Sequence, residues 1–396
     1  MTSPGATTSG SDPARAPRLV VQKYGGSSVA DLTKLRAVAA RIARTRATGA
    51  GVVVVVSAMG NTTNELLALA RQVSATPGRR ELDMLISVGE RVSMALLAMA
   101  LGDLGVPARS FTGSQSGIVT DEHHANARVV EVRPDRVREA LDRGEVAIVA
   151  GFQGVSRARE VTTLGRGGSD TTAVVLAAAL HADECEICSD IDGIWSADPR
   201  TVPGARKIER LTVDEALALA QNGAKVLYEE AVLWAKREGV TLRASQTDRV
   251  EVGGTVVSDE AVPARIVAVT ADTQLATCEL RHLTDLPSAA IRFASPEGVL
   301  VDRRNLHAPL DFLREAATVT IVGSRAGADP ELLGRILVAT HGCCAGGVDT
   351  TTAPPTRIAF DWHATGDAVI LRVPPAEAAR VELEIHHRLG LGDARP

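Results

Sequence analysis

Residues 52–57 read VVVVVS, and this run decides the fold class. A strand with one face in water alternates apolar and polar side chains. Five successive valines are apolar on both faces, as in a central parallel strand covered by helices on each side. Outward from it, LVVQKY at 19–24 is a second such run, and the helix predicted over 31–46 puts Leu32, Leu35, Val38, Ala39 and Ile42 on one face. A helical stretch over 81–101, a strand over 106–111, a helix after Pro134 and the strand VAIVA at 146–150 continue the alternation. So regular a βαβ rhythm predicts an α/β fold, a three-layer αβα sandwich. It continues through the apolar helical run at 171–180, the strand ECEIC at 184–188, helices over 213–221 and 225–238, and VTLRAS at 240–245. From about Pro263 the texture changes. Short strands (ARIVAVT, ATVTIVG, TRIAFDW, AVILRVP) alternate with helices over 330–339 and 375–389, predicting a smaller α+β region of a regulatory or pairing kind.

Composition narrows the function. The chain has 396 residues, 45% hydrophobic and 23% charged, with 43 basic against 48 acidic side chains and a formal charge of −5. With only 3% aromatics it lacks both the basic footprint for phosphate backbones and the rings that stack bases, so nucleic acid is excluded as a partner. Apolar runs such as 52–56 and 95–101 fall short of the roughly 20 residues that span a bilayer, which excludes a membrane span. Residues 1–17 are small and polar, without an apolar signal core, and read as a disordered tail. Five cysteines do not make a disulfide framework, and a reducing cytoplasm is the natural setting. Cys185 and Cys188 form a CxxC, but a spacing of three in a strand sends the two thiols to opposite faces. The vicinal Cys343 and Cys344 read as buried thiols.

Neither GxGxxG nor GxxxxGK[ST] occurs, so a Rossmann dinucleotide site and a Walker P-loop lose their main support. What occurs instead is KYGGSS at 23–28, between the first strand and first helix. Gly25 and Gly26 let backbone N–H groups approach an anion and Lys23 adds a full charge; the plain alternative is a glycine turn with a solvated lysine. A second cluster, TLGRGGSDTT at 163–172, opens an apolar helix. Capping by Asp170 or Ser169 would account for a carboxylate or hydroxyl there, but not for three glycines and Arg166, whose fork suits a carboxylate or phosphate. Two anion cradles on different βα turns suit phosphoryl transfer to a small carboxylate, a reaction that needs positioning and charge neutralisation. Glu90, inside an apolar helical stretch, needs a partner: Arg91, another protein group or a ligand ammonium.

These residues resemble the aspartate kinase family. KYGGSS (23–28), VVVVVSAMGNTTNELL (52–67), SVGER (87–91), QSGIVTDEHHANAR (115–128), VAGFQGV (149–155), TTLGRGGSDTTAV (162–174), SDIDGIWSADPR (189–200) and GAKVL (223–227) stand in that family's order over about residues 18–250. The resemblance implies an amino acid kinase fold over 18–250 and a degenerate ACT-like regulatory or dimerisation region over 263–396. It implies that Lys23, with Gly25, Gly26 and Ser27, holds the transferring phosphate. Glu90 would receive the substrate ammonium and Arg166 its α-carboxylate, Ser57 and Ser169 would lie at the substrate, and Asp170 would orient Lys23 or the phosphate and metal shell. For ATP it implies Gly167, Gly168, Ser189, Asp190, Asp192, Trp195, Arg200 and Lys225, with Mg2+ held largely by the phosphates. A carboxylate is already a nucleophile at neutral pH, so no general base is required.

Three departures stand out. Tyr228-Glu229 replaces the family's usual His-Pro and places an acid near the nucleotide side, Trp195 stands where a tyrosine is usual, and the first ACT-like unit, 264–316, looks shortened. The expectation is a cytoplasmic, homodimeric, ATP-dependent L-aspartate 4-kinase on the route to lysine, threonine and methionine, with an amino-acid effector at the ACT-like region. Two rivals are a kinase of the same fold for another amino-acid carboxylate and a non-catalytic amino-acid sensor. Glu90 with Arg166 speaks for an α-amino acid acceptor and against UMP.

Overall fold

A computed structural model of the chain describes residues 18–224, 226–249, 253–286, 291–295, 298–303, 310, 313–326, 328–333, 335–336, 361–365 and 367–392. Lys225 and the Cys343–Cys344 pair lie outside them, as do 356–360 of the expected strand TRIAFDW and 337–339 of the helix before it.

The first half lays down β1 (Leu19–Tyr24), α1 (Leu32–Ala47), β2 (Gly51–Val56), α2 (Thr62–Val73), α3 (Arg79–Ile86), α4 (Val88–Asp103), β3 (Ala108–Phe111), β4 (Ile118–Thr120) and β5 (Val129–Val132). Then follow α5 (Asp135–Asp142), β6 (Val146–Ala150), β7 (Gln153–Ser156), β8 (Val161–Thr163), α6 (Gly168–Leu180), β9 (Glu184–Ser189), β10 (Ile194–Trp195) and β11 (Lys207–Ile208). This first, larger sheet and its helices are completed by β12 (Arg210–Thr212), α7 (Val213–Gln221), α8 (Glu229–Glu238), β13 (Leu242–Gln246) and β14 (Thr255–Ser258). Its eight strands run β12-β14-β13-β9-β1-β2-β6-β3. All neighbours are parallel except β13 and β14.

Strand residues alternate between faces, and β2 shows what that means when both faces are covered. Val53 and Val55 pack with α5, α6, α7 and α8 in one apolar cluster, while Val52, Val54 and Val56 pack with α1 and α4 in the other. Burying each such valine contributes roughly 1.5–3 kcal/mol relative to exposure. Cys185 and Cys188, both on β9, fall into these two opposite clusters, as their spacing predicts.

Several local expectations need correction. In α1 the side chain of Asp31 caps Lys34 N at 2.9 Å, so the helix opens where predicted, but Leu32 is exposed and Arg41 takes a place on the buried face. The stretch over 81–101 is two helices, broken at Ser87, whose carbonyl accepts from Gln153 Nε2 at 2.8 Å; a side chain bonding a helix carbonyl is one cause of such a break. Arg79–Asp103 as a whole is long and apolar enough to cross a bilayer, but it serves as core, with Glu90, Ser93, Met94, Leu97 and Leu101 buried. The helix expected from 225 starts at Glu229, because Tyr228 is extended (φ −90°, ψ 138°).

The C-terminal region forms one antiparallel sheet of β15 (Ala268–Cys278), β16 (Ile291–Ser295), β17 (Gly298–Asp302), β18 (Arg314–Val322), β19 (Asp361–Ala364) and β20 (Ala368–Val373), ordered β16-β17-β15-β18-β20-β19. β15 starts four residues later than ARIVAVT suggests and runs on to Cys278, past an irregularity between Asp272 and Leu275, because it serves both halves of this sheet. The half β15-β18-β20-β19 packs against the terminal helix Ala378–Arg388, an ACT-like α+β unit. The other half has β16, β17 and a short 3-10 turn at Leu280–Asp285, with a core of Cys278, Leu286, Val299 and Val301.

Candidate active site

The parallel strands β1, β2, β6 and β9 end together, and the loops beyond them interlock. Ser57 N donates to Tyr24 O at 3.0 Å, Gly60 N to Gly26 O at 3.1 Å and Gly151 N to Val56 O at 3.0 Å. The carboxyl ends of such strands are where α/β sheets bind ligands. Two glycines permit this closeness. A Cβ on Gly26 would lie 2.9 Å from Ala58 O, and one on Gly151 would lie 2.8 Å from Ser169 Oγ.

Lys23, the next-to-last residue of β1, is buried with Nζ 2.8 Å from Asp170 Oδ1. Gly25 lies against that ammonium, 3.6 Å from where its Cβ would be, while Ser27 is exposed. Asp170 is the third residue of α6 and caps nothing; the N-cap is Gly167, in the left-handed region at φ 69°. The alternative that Asp170 or Ser169 is simply a cap is therefore set aside. Arg166 is exposed and makes no hydrogen bond or ion pair among the described residues. It stands four residues before Asp170, so the Lys23–Asp170 pair brings the first cradle to the same helix end as the second.

Glu90 lies in the first turn of α4, which approaches the loop after β2 because Gly89 has no Cβ; one would sit 2.7 Å from Ala58 Cβ. Its Oε1 accepts from Ala58 N at 3.1 Å, while the buried Oε2 has no partner among the described residues. Arg91 is not its partner, since Arg91 Nε donates to Gln153 Oε1 at 3.2 Å. Burial pushes the Glu90 carboxyl up to about 7, with hydrogen bonds from its own and the Ala58 backbone working the other way. A buried carboxylate oxygen without a donor is a cost that a ligand ammonium would remove.

On the other side of Lys23 the segment expected at the nucleotide is spoken for in part. Asp192 is ion-paired to Lys207 at 3.0 Å and Arg249 at 2.9 Å, and Arg200 is bound to Asp198 at 2.7 Å. Trp195 packs on the cluster of Ala197, Val202 and Ala205, beside Leu383 of the terminal helix. Asp190 is exposed, and Ser189 O accepts from Thr247 N at 2.8 Å. Glu229 does not face the nucleotide side as a free acid; it accepts from Gln221 and pairs with Arg292 of the C-terminal sheet at 3.4 Å. Tyr228 lays its ring on Gly167, where a Cβ would come within 2.4 Å of it.

Sequence reasoning missed Arg41. Its guanidinium donates to Gln246 O, Thr247 O and Arg249 O at 2.6–2.8 Å and to Glu186 at 2.5 Å, and Thr247 meets Ser28 of the first cradle at 2.6 Å. The available signal was an arginine one to three residues from the core positions Val38, Ala39 and Ile42 of α1. Asp83 was missed too. Among the described residues no group of three or more His, Cys, Asp or Glu side chains is arranged to hold a metal ion.

The amino acid kinase family model matches residues 18–243. An aspartokinase of Mycolicibacterium smegmatis is 53% identical over 282 residues, covering 69% of this chain and 66% of that one. An aspartokinase of Thermus thermophilus is 47% identical over 289 residues, covering 72% and 71%. The fold matches that of E. coli aspartokinase III, solved in complex with aspartate and ADP, with a TM-score of 0.76 at 22% identity over 94% of this chain and 100% of that one. The glycine clusters, the three-layer sandwich with its ACT-like partner and this degree of identity agree: the chain belongs to the amino acid kinase family, among its aspartokinases.

Proposed function

We propose that the chain transfers the γ-phosphoryl group of ATP to the side-chain carboxylate of L-aspartate, giving 4-phospho-L-aspartate and ADP. The observation that carries this reading is the buried Glu90 Oε2, which has no partner among the described residues, within one cluster of loops that also holds the Lys23–Asp170 pair and, at the amino end of α6, the exposed guanidinium of Arg166. Glu90 takes the substrate ammonium and Arg166 the α-carboxylate, with Ser57 and Ser169 flanking the side chain. That leaves the side-chain carboxylate pointing at the phosphate held by Lys23, Gly25, Gly26 and Ser27. The carboxylate is the nucleophile as it stands; Lys23, aimed by Asp170 2.8 Å away, neutralises charge that builds on the transferring oxygens.

ATP lies along the loop 189–200, with Gly167 and Gly168 near its phosphates and Trp195, Arg200 and Lys225 at its edges. Mg2+ would be held largely by the nucleotide phosphates, whose charge it would screen; among the described residues no group of three or more His, Cys, Asp or Glu side chains stands ready to cage it. The curated relatives are aspartokinases, and the E. coli structure holds both aspartate and ADP, which supports this pair of ligands here. Homodimerisation and effector binding through the ACT-like region complete the proposal, and free buried thiols at Cys185, Cys188 and Cys278 suit a reducing cytoplasm.

An ADP-release assay across aspartate, glutamate, N-acetylglutamate and UMP tests it. Aspartate is expected to give the highest kcat/KM. Turnover with another acceptor in its place would support the rival carboxylate kinase, and no acceptor-dependent ADP at all would leave only the sensor reading. Adding lysine and threonine reads out feedback in the same assay.

A further inference from the structure

Asp83 is a fully buried carboxylate that the phosphoryl chemistry leaves unused. Three donors from two separate backbone segments converge on it. Thr163 Oγ1 donates to Oδ1 at 2.5 Å, His124 Nδ1 lies 2.7 Å from Oδ2, and Ala125 N lies 3.0 and 3.1 Å from the two oxygens. Each of these neighbours leads to the amino-acid end of the site. Asp83 belongs to α3, and its own carbonyl accepts from Ser87 N at 3.1 Å, at the corner where α3 passes into α4 and three residues before Glu90. Thr163 stands three residues before Arg166. Ala125 is held at φ 68°, unusual for a residue with a Cβ, and it delivers Asn126, whose Oδ1 lies 2.5 Å from where a Cβ on Gly165 would be. Gln153 adds a second tie at the same corner, through Ser87 O and Arg91.

We propose that Asp83 is a positioning residue for the amino-acid substrate. By joining α3 to the strand and loop that shape the GRGG turn, one buried carboxylate sets the spacing between the helix that presents Glu90 and the turn that presents Arg166. This rests on the reading of those two residues as partners of the substrate ammonium and α-carboxylate. A two-point grip on a small molecule works only when its two points are held at a fixed distance, and a doubly accepting carboxylate holds three donors where an alanine holds none.

Initial rates of the full-length chain, with aspartate and ATP varied separately, test this. Asp83→Ala is expected to raise KM for aspartate about tenfold or more while KM for ATP moves less than about twofold. Asp83→Asn keeps one acceptor oxygen for Thr163 and Ala125 N, so it should recover most of the loss. Should the alanine variant not fold, Thr163→Val removes one bond and should still shift KM for aspartate selectively. Equal rises in both KM values, or no change in either, would overturn the inference while leaving the kinase assignment intact. If the unmodified chain shows no aspartate-dependent turnover, the assignment itself fails and the inference falls with it.

Discussion

Glu90 is 3% exposed, with one oxygen on Ala58 N and the other without a donor among the described residues. Burial holds its proton up to about pH 7, whereas in the unfolded chain it leaves near 4.5. Between those values the folded state binds the proton and the unfolded state does not, so this group's contribution to stability falls as pH rises from about 4.5 to 7. An ammonium ligand prefers the ionised form. In the proposed reaction kcat/KM for aspartate should therefore climb between pH 6 and 8 with an apparent pKa near 7, and Glu90→Gln should flatten that limb and lower the plateau about 10–100-fold. A wild-type profile that is level across this range would contradict it. The Lys23–Asp170 pair makes a different prediction. Lys23→Met should lower kcat at least about 10²-fold and also destabilise the fold by roughly 3–5 kcal/mol, because it strands a buried carboxylate. Lys23→Met with Asp170→Asn should regain much of the stability in thermal melts but none of the turnover, which separates the electrostatic role of the pair from its structural one.

The element that organises the site is α6. Ten of its residues from Gly168 through Ala177 are buried, so it lies pinned between sheet and α8, and its amino end can point at only one place. The turn that feeds it uses two positive-φ glycines, Gly165 and Gly167, the second beneath the Tyr228 ring. Gly167→Ala should cost about 1–2 kcal/mol from the left-handed backbone alone, plus the clash with the ring, and should lower kcat/KM for both substrates. Combining it with Tyr228→Ala should recover the clash in melting temperature but not the backbone share; full recovery would mean that φ at 167 is not the constraint. α1 shows the same lesson for reading helices. Its apolar stripe was legible, but Arg41 sits on that stripe, because a guanidinium that satisfies three carbonyls and Glu186 can be buried where an unpaired one cannot.

Across the whole molecule, the C-terminal region is clamped onto the loop proposed to carry the nucleotide. Ser196 donates from Oγ to Leu391 O at 3.2 Å and meets His386 Nε2 at 2.9 Å, while Val269 N donates to Ser196 O at 2.8 Å. Arg265 grips the buried Glu215 of α7 at 2.8 Å. Burial lowers His386 to about 4, from an unfolded value near 6.5. A group whose folded pKa is depressed in this way gives full stability above about 6.5 and loses it as pH falls toward 4, since only the unfolded chain then takes the proton. Thermal melts should show the gap between wild type and His386→Gln narrowing from pH 7 to pH 5, and a gap that stays constant would rule the effect out.

The order of strands and helices, the two glycine-rich turns and their family were legible in sequence, because β-branched runs, helical periodicity and glycine-rich turns are local patterns. The valine run alone called for cover on both faces, and Lys23, Glu90 and Arg166 were each recognisable by a charge set among apolar or glycine neighbours. Tertiary structure alone decided that Asp170 pairs with Lys23 instead of capping its helix, that Glu229 turns to Arg292, and that Asp83, Arg41 and His386 are buried. Those outcomes depend on partners between 41 and 208 residues away in sequence, and no window of sequence carries the desolvation that such distant neighbours impose.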